Sequence, residues 1–326
     1  MAEITAANVA KLRQITNAGM MDCKRALTEA QGDMDKAVEL LRKKGAATAA
    51  HKAAREAREG IVVAHVAPDA RTGILVEVNC ETDFVARNEM FRAFAADVAA
   101  TLAVNPQADL EALREDAVGR IRENLKIPRH IRLEVQGNGM VAAYIHTGSK
   151  IGVLVEVGAG KEATVATEAF KQLVRDLTLQ IAAASPLAVS REQLPADRVA
   201  KEREIAAEQV KDKPPQAIAK IVEGKMEKYF QTCCLLDQGY VKQNSEISVK
   251  ERIASASKEL DDTLEVRRFV RYQVGEVVNG KTGFPCFLGA IPAPIFYAPM
   301  PRRQRNERGP GFHQAGKAGG VDSAHP

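Results

Sequence analysis

The chain has 326 residues, enough for two or three domains, and 45% are hydrophobic; with 5% aromatics and no Trp, its core must be mostly Ala, Val, Leu and Ile. The net charge of +4 resides in residues 277–326, where six Lys/Arg face two acids; the remaining 40 bases and 40 acids cancel, which excludes a broad nucleic-acid footprint and suits a protein partner. Five cysteines (23, 80, 233, 234, 286) without C-x-x-C spacing argue against a disulfide framework or zinc site, and the absence of a signal-like N-terminus or an uninterrupted apolar run of 18 residues points away from the membrane and toward the cytoplasm.

Residues 4–45 read as three short helices. Thr5 is an N-cap for the first, with Val9 and Leu12 on one face. Asn17-Ala-Gly is a turn, and a second helix follows over about 21–30. Gly32-Asp33 breaks it and caps a third, with Ala37, Val38, Leu40 and Leu41 apolar and Gly45 as the stop. Residues 1–46 are thus a small docking module, and 47–59, rich in Ala and charge, a helical linker.

The next 45 residues occur twice. Residues 60–104 align with 139–183 at an offset of 79, without a gap and with 12 identities. Gly60-Ile-Val-Val-Ala-His-Val matches Gly139-Met-Val-Ala-Ala-Tyr-Ile, and Gly73-Ile-Leu-Val-Glu-Val matches Gly152-Val-Leu-Val-Glu-Val. Each copy reads strand, turn, strand, helix: β-branched runs at 61–66 and 74–78, then helical spacing of Phe91, Phe94, Ala95, Val98 and Leu102, repeated as Phe170, Leu173, Val174, Leu177 and Ile181. Between the copies lie a polar helix and a strand at 131–135. The core accordingly divides into subdomains 60–138 and 139–276. Within the second, charged residues from 196 to 211, the Pro214-Pro215 break and a second apolar-faced helix imply an antiparallel hairpin over 195–231. A short helix near 248–260 and a strand at 266–274 complete it, and Gly and Pro make up 15 of the 50 residues in the basic tail 277–326, which reads as disordered.

The copies differ most at the corner after their second strand. The first has Thr82, Asp83, Phe84 and Val85 where the second has Lys161-Glu-Ala-Thr164. The fold therefore builds this corner without an aromatic, and an aromatic beside an acid on a turn suits a protein-binding wedge. Met20 and Met21 open a helix after a Gly turn; consecutive residues cannot both face one core, so one of the pair is expected to be presented outward for adaptable contact. Residues 275–282 satisfy the phosphate-loop pattern G-x-x-x-x-G-K-[ST], but Gly283 and Pro285 forbid the helix such a loop needs. The six His are scattered, His65 is assigned to strand packing, and Cys233-Cys234 to a small buried pair. No residues gather as an acid, a base and a nucleophile, so neither catalysis nor a cofactor or metal is expected.

The stretches Leu12-Arg-Gln-Ile-Thr-Asn-Ala-Gly-Met-Met-Asp-Cys-Lys-Arg-Ala-Leu27 and Asn79-Cys-Glu-Thr-Asp-Phe-Val-Ala86, in this order and spacing, resemble the bacterial translation elongation factor Ts family. The likeness runs over about 1–276, through Ile151-Gly-Val-Leu-Val155 and Phe269-Val-Arg-Tyr-Gln-Val-Gly-Glu276. It implies an α+β fold: a ubiquitin-associated-like three-helix domain, then a duplicated α+β core with a projecting helical hairpin. It also implies guanine-nucleotide exchange on elongation factor Tu. Asp83 and Phe84, within 82–85, would displace the partner's magnesium and loosen its nucleotide phosphates. Met20 and Met21 would dock on the same partner domain, with Ile151 and Gly152 at a second contact. Where the family continues into a charged C-terminal helix, this chain has its Gly/Pro-rich tail. A nucleotide-binding protein using 275–282, or a ribosome- or RNA-binding adaptor using the tail, are the alternative readings.

Overall fold

The computed structural model describes residues 4–16 and 18–276; Asn17 and the tail 277–326 lie outside them. Three helices come first, α1 (Ala6–Thr16), α2 (Met20–Glu29) and α3 (Met34–Lys52). Thr5 caps α1 by accepting from Asn8 N at 3.2 Å, and Asp33 caps α3 by accepting from Lys36 N at 3.1 Å. Val9, Leu12, Cys23, Ala26, Leu27 and Ala37 form their core. Gly45 does not stop α3, which continues to Lys52. It lies where α3 crosses a later helix, and a Cβ there would stand at ordinary contact distance, 3.5 Å from Glu115 O, so the helix runs through this position and packs on its neighbour. Residues 47–59 are accordingly helical only at their start, and Glu59 already opens a strand.

Two three-stranded antiparallel sheets follow. The first joins β1 (Glu59–Val66), β2 (Thr72–Cys80) and β3 (Lys126–Glu134); the second joins β4 (Gly139–Ile145), β5 (Ile151–Ala159) and β6 (Leu264–Gln273), each in that order. The sheets carry helices α4 (Asp83–Arg87), α5 (Glu89–Val104) and α6 (Glu111–Ile121), and α7 (Glu162–Ala166) and α8 (Glu168–Ala184). The offset of 79 holds for both bounds of β2 and β5 and of α4 and α7. Alternation along the strands explains the layering. Ile74, Val76 and Val78 face Phe91, Phe94 and Val98 of α5, while Val153, Val155 and Val157 face Phe170, Leu173 and Leu177 of α8. The other faces, Val62, Leu75 and Leu133 against Val141, Leu154, Val270 and Tyr272, bring the sheets together, giving helix, sheet, sheet, helix. Gly73 and Gly152 permit this approach: a Cβ on Gly73 would stand 2.4 Å from Val141 Cγ1, and one on Gly152 2.4 Å from Val62 Cγ1.

The shared acids are structural. Glu77 receives Arg129 Nε at 2.7 Å and Glu156 receives Arg268 Nε at 2.6 Å, both carboxylates buried beside irregularities in strand register. Each arginine also donates to a main-chain oxygen of the opposite sheet, Arg129 to Gln273 O at 2.9 Å and Arg268 to Glu134 O at 2.8 Å. Burial without such partners would cost several kcal/mol per ion.

Between α8 and β6 lie α9 (Ala196–Glu208), α10 (Pro215–Cys233) and α11 (Val249–Glu259). α9 and α10 run antiparallel, with Arg203 on Glu223 at 3.0 Å and Arg198 Nε on Tyr229 Oη at 3.0 Å, around Val222 and Met226. Pro214 and Pro215 begin α10, at its cap and first turn, where a missing N–H costs nothing. Cys233 and Cys234 are buried at its end, whereas His65 is exposed on β1 rather than packed. Among the described residues no helix is long and apolar enough to cross a membrane.

Candidate functional site

The unshared corner begins where β2 ends. The Cys80 thiol is buried, donates to Thr82 O at 3.2 Å, and is pushed up to about 12 by burial and by the nearby Glu123 carboxylate. Thr82 takes extended backbone and caps α4, its hydroxyl oxygen accepting from Val85 N at 3.3 Å. The same hydroxyl donates to Glu123 Oε1 at 2.6 Å, and Glu123 Oε2 accepts from Glu81 N at 2.9 Å and Thr82 N at 3.0 Å. One carboxylate thus closes three donors at the root of the corner.

On this base the short helix α4 divides its faces. Ala86 is buried and Val85 packs against the core of α5 and its sheet. Phe84 points away and is 83% exposed. Leaving it in water forgoes about 1.5–3 kcal/mol that burial of such a side chain contributes. Asp83 meets Arg87 one turn on at 3.1 Å, an exposed pair of the kind worth about 0.2–0.5 kcal/mol, so its carboxylate can be redirected to a partner at little cost.

The second corner shows what the fold itself requires. α7 has the same length and offset, its root is also held by a carboxylate (Asp262 Oδ2 accepting from Lys161 N at 2.9 Å), and Thr164 is buried in place of Val85. Ala163 occupies the place of Phe84. No packing need accounts for the phenylalanine.

Met20 and Met21 occupy the first turn of α2 and are 55% and 64% exposed, so both, not one, stand outside the module core. The next residue, Asp22, receives Lys44 at 2.7 Å, Arg25 at 2.6 Å and also Arg122; the Lys44 hydrogen bond is the main reason its carboxyl lies below the usual range. Ile151 is half-buried at the start of β5. Its neighbour Lys150 bonds Glu59, which pairs across the ladder with Cys80, so Ile151 borders the end of the sheet from which the corner springs. Gly152 is buried between the sheets and presents no surface.

Of residues 275–282, Gly275 and Glu276 are described; Gly275 takes φ 81 and donates its N–H to Glu77 Oε1 at 3.1 Å, closing the turn after β6. The rest of that motif, and the basic tail, lie outside the described residues. Among the described residues no cluster of three or more His, Cys, Asp or Glu could hold a metal.

The family model described as "Elongation factor TS" matches residues 81–276, from the residue before Thr82 to the last described one. The chain is 41% identical over 295 residues to elongation factor Ts of Chloroherpeton thalassium, covering 85% of this chain and 100% of that protein. It is 42% identical over 291 residues to that of Nautilia profundicola, and 43% over 293 to that of Clostridium botulinum Alaska E43, each covering 85% of this chain and 94% of the relative.

The chain belongs to the elongation factor Ts family.

Within this family member, Glu123 is the residue that sequence reasoning missed. It lies 41 positions from Thr82, between the polar helix and the strand that separate the repeats. The available signal was a longer correspondence: Glu123 precedes β3 as Asp262 precedes β6, with Arg129 and Arg268 following at the same interval.

Proposed function

We propose that this elongation factor Ts family member binds elongation factor Tu, in its GDP-bound and nucleotide-free states, and promotes release of GDP so that GTP can replace it. In this reading Thr82, Asp83, Phe84 and Val85 form a wedge. Asp83 and Phe84 enter the partner's nucleotide domain, displace its magnesium and loosen the phosphates. Met20 and Met21 dock the N-terminal module, which we read as a ubiquitin-associated-like domain over residues 1–46, on the same partner. The duplicated core is read as subdomains 60–138 and 139–276, with the α9–α10 hairpin projecting from the second. Ile151 makes a second contact, and Gly152 serves it by letting the sheets close. The protein works in the cytoplasm as a binding factor rather than an enzyme, with no cofactor of its own and no direct contact with nucleic acid.

The observation that carries this reading is Phe84, 83% exposed on a corner whose twin is built with alanine. Thermodynamics supplies the rest. A factor that binds the empty partner better than the GDP-bound one must weaken GDP by the same ratio, and a coupling of about 3 kcal/mol corresponds to about 150-fold. The test is release of a fluorescent GDP from elongation factor Tu. The protein should accelerate it, and the double substitution Asp83→Ala, Phe84→Ala should reduce that acceleration at least about tenfold with no loss of thermal stability, because neither side chain supports the core. Full activity in the double variant refutes the wedge.

A further inference from the structure

We infer that the three consecutive residues Arg122, Glu123 and Asn124 are positioning residues that hold the exchange corner and the N-terminal module in one fixed arrangement. The inference rests on the functional reading of 82–85 given above.

Each residue reaches a different part of the molecule. Arg122 extends its guanidinium to Asp22, next to Met21, while its main-chain carbonyl accepts from Lys52 Nζ at the end of α3. Glu123 closes the root of the corner through Glu81 N, Thr82 N and the Thr82 hydroxyl. Asn124 donates from Nδ2 to Arg55 O at 2.7 Å, and its N–H meets Glu81 Oε1 at 2.6 Å. Arg55 returns to Glu81 at 3.5 Å. Module, linker and corner therefore meet on one stretch of three residues.

Two features set this stretch apart from an ordinary helix end. Arg122 caps α6 with φ 65, in the left-handed region where glycine is the default and other residues cost about 1–2 kcal/mol. A glycine would relieve the strain but lose the bond to Asp22. Across the contact, a Cβ on Gly19 would stand 2.8 Å from Arg122 Nη2, so the guanidinium lies directly against the turn that leads into Met20 and Met21. The second repeat keeps the carboxylate grip on its corner through Asp262 but carries no docking module. The grip alone belongs to the fold; its union with Arg122 and Asn124 belongs to the copy that bears Phe84.

The division of labour predicts a split in kinetics. Glu123 fixes the element that acts on the nucleotide site, so Glu123→Gln should lower kcat for GDP release on the order of tenfold and leave KM for the partner within about twofold. Arg122→Ala frees the module and should raise KM by a similar factor at nearly constant kcat. A readout independent of exchange uses the absence of Trp from the chain. In the full-length Phe84→Trp protein the single tryptophan reports how firmly the corner is held. Its fluorescence anisotropy should drop by about half when Glu123→Gln is added, and Thr82→Ala, which removes the opposite side of the same contact, should lower it likewise. Unchanged anisotropy in both variants overturns the inference. So does a parallel fall of kcat and KM effects with a lowered melting temperature, which marks a merely structural residue. Should the unaltered protein fail to accelerate GDP release, the functional reading falls, and the tryptophan signal still decides this one.

Discussion

At the scale of single residues, the corner places opposite demands on neighbours. Cys80 is withdrawn and Phe84, four positions on, is displayed. With its pKa pushed up to about 12, first by desolvation and then by Glu123, Cys80 holds only about one part in ten thousand as thiolate at pH 8. A raised acid pKa stabilises the neutral form, so this contribution to folding is complete below the unfolded value of 9.0 and fades only as pH climbs toward 12. Native Cys80 should therefore react with iodoacetamide at pH 8 at least about a hundredfold more slowly than in urea, as peptide mass spectrometry can measure. Comparable rates would show that the strand end opens in solution. Phe84 could be singled out from sequence because the gapless repeat supplied a comparison; Glu123 was harder to see, because the bond it makes spans 41 residues and its counterpart Asp262 lies outside the gapless alignment.

At the scale of elements, periodicity disclosed what faces a core and concealed what faces another element. The stripes from Phe91 to Leu102 and from Phe170 to Ile181 are buried as their spacing implies. The third strands escaped the repeat because they recur at a different interval, after insertions of different length, with α9, α10 and α11 in the second half and α6 in the first. Gly45 read as a terminator because a helix-breaking residue is judged by propensity, whereas packing of α3 on α6 outweighs about 1 kcal/mol of propensity. Gly152 was read as a contact residue, yet a side chain there meets Val62, Ile145 and Leu75. Gly152→Val should thus destabilise the protein by about 1–3 kcal/mol in urea denaturation, and Gly73→Val by a similar amount, since the two are related by the repeat. A neutral result in either would mean that the sheets stand further apart than described.

At the scale of the whole molecule, the N-terminal module is joined to the core by the crossing of α3 and α6, where Gly119 lies against Gly45, and by the charges around Asp22. A Cβ on Gly119 would stand 3.3 Å from the Gly45 Cα, so Gly119→Leu should push α3 away. The core should keep its melting transition, while limited proteolysis within 47–59 accelerates; resistance equal to the parent would show that the crossing is not what holds the module. The order of strands has a consequence for synthesis as well. The first sheet draws all its strands from residues 59–134 and can close while the rest of the chain is still on the ribosome. The second cannot, because β5, its central strand, waits from Ala159 until Leu264 for β6. During that interval one side of β5 is an open row of amides and carbonyls, and the faces of Val270 and Tyr272 are missing from the seam between the sheets. The half that bears Phe84 thus has all its strands first, and its twin is left as the late, vulnerable step of biogenesis, the stage at which a nascent chain would most need a chaperone.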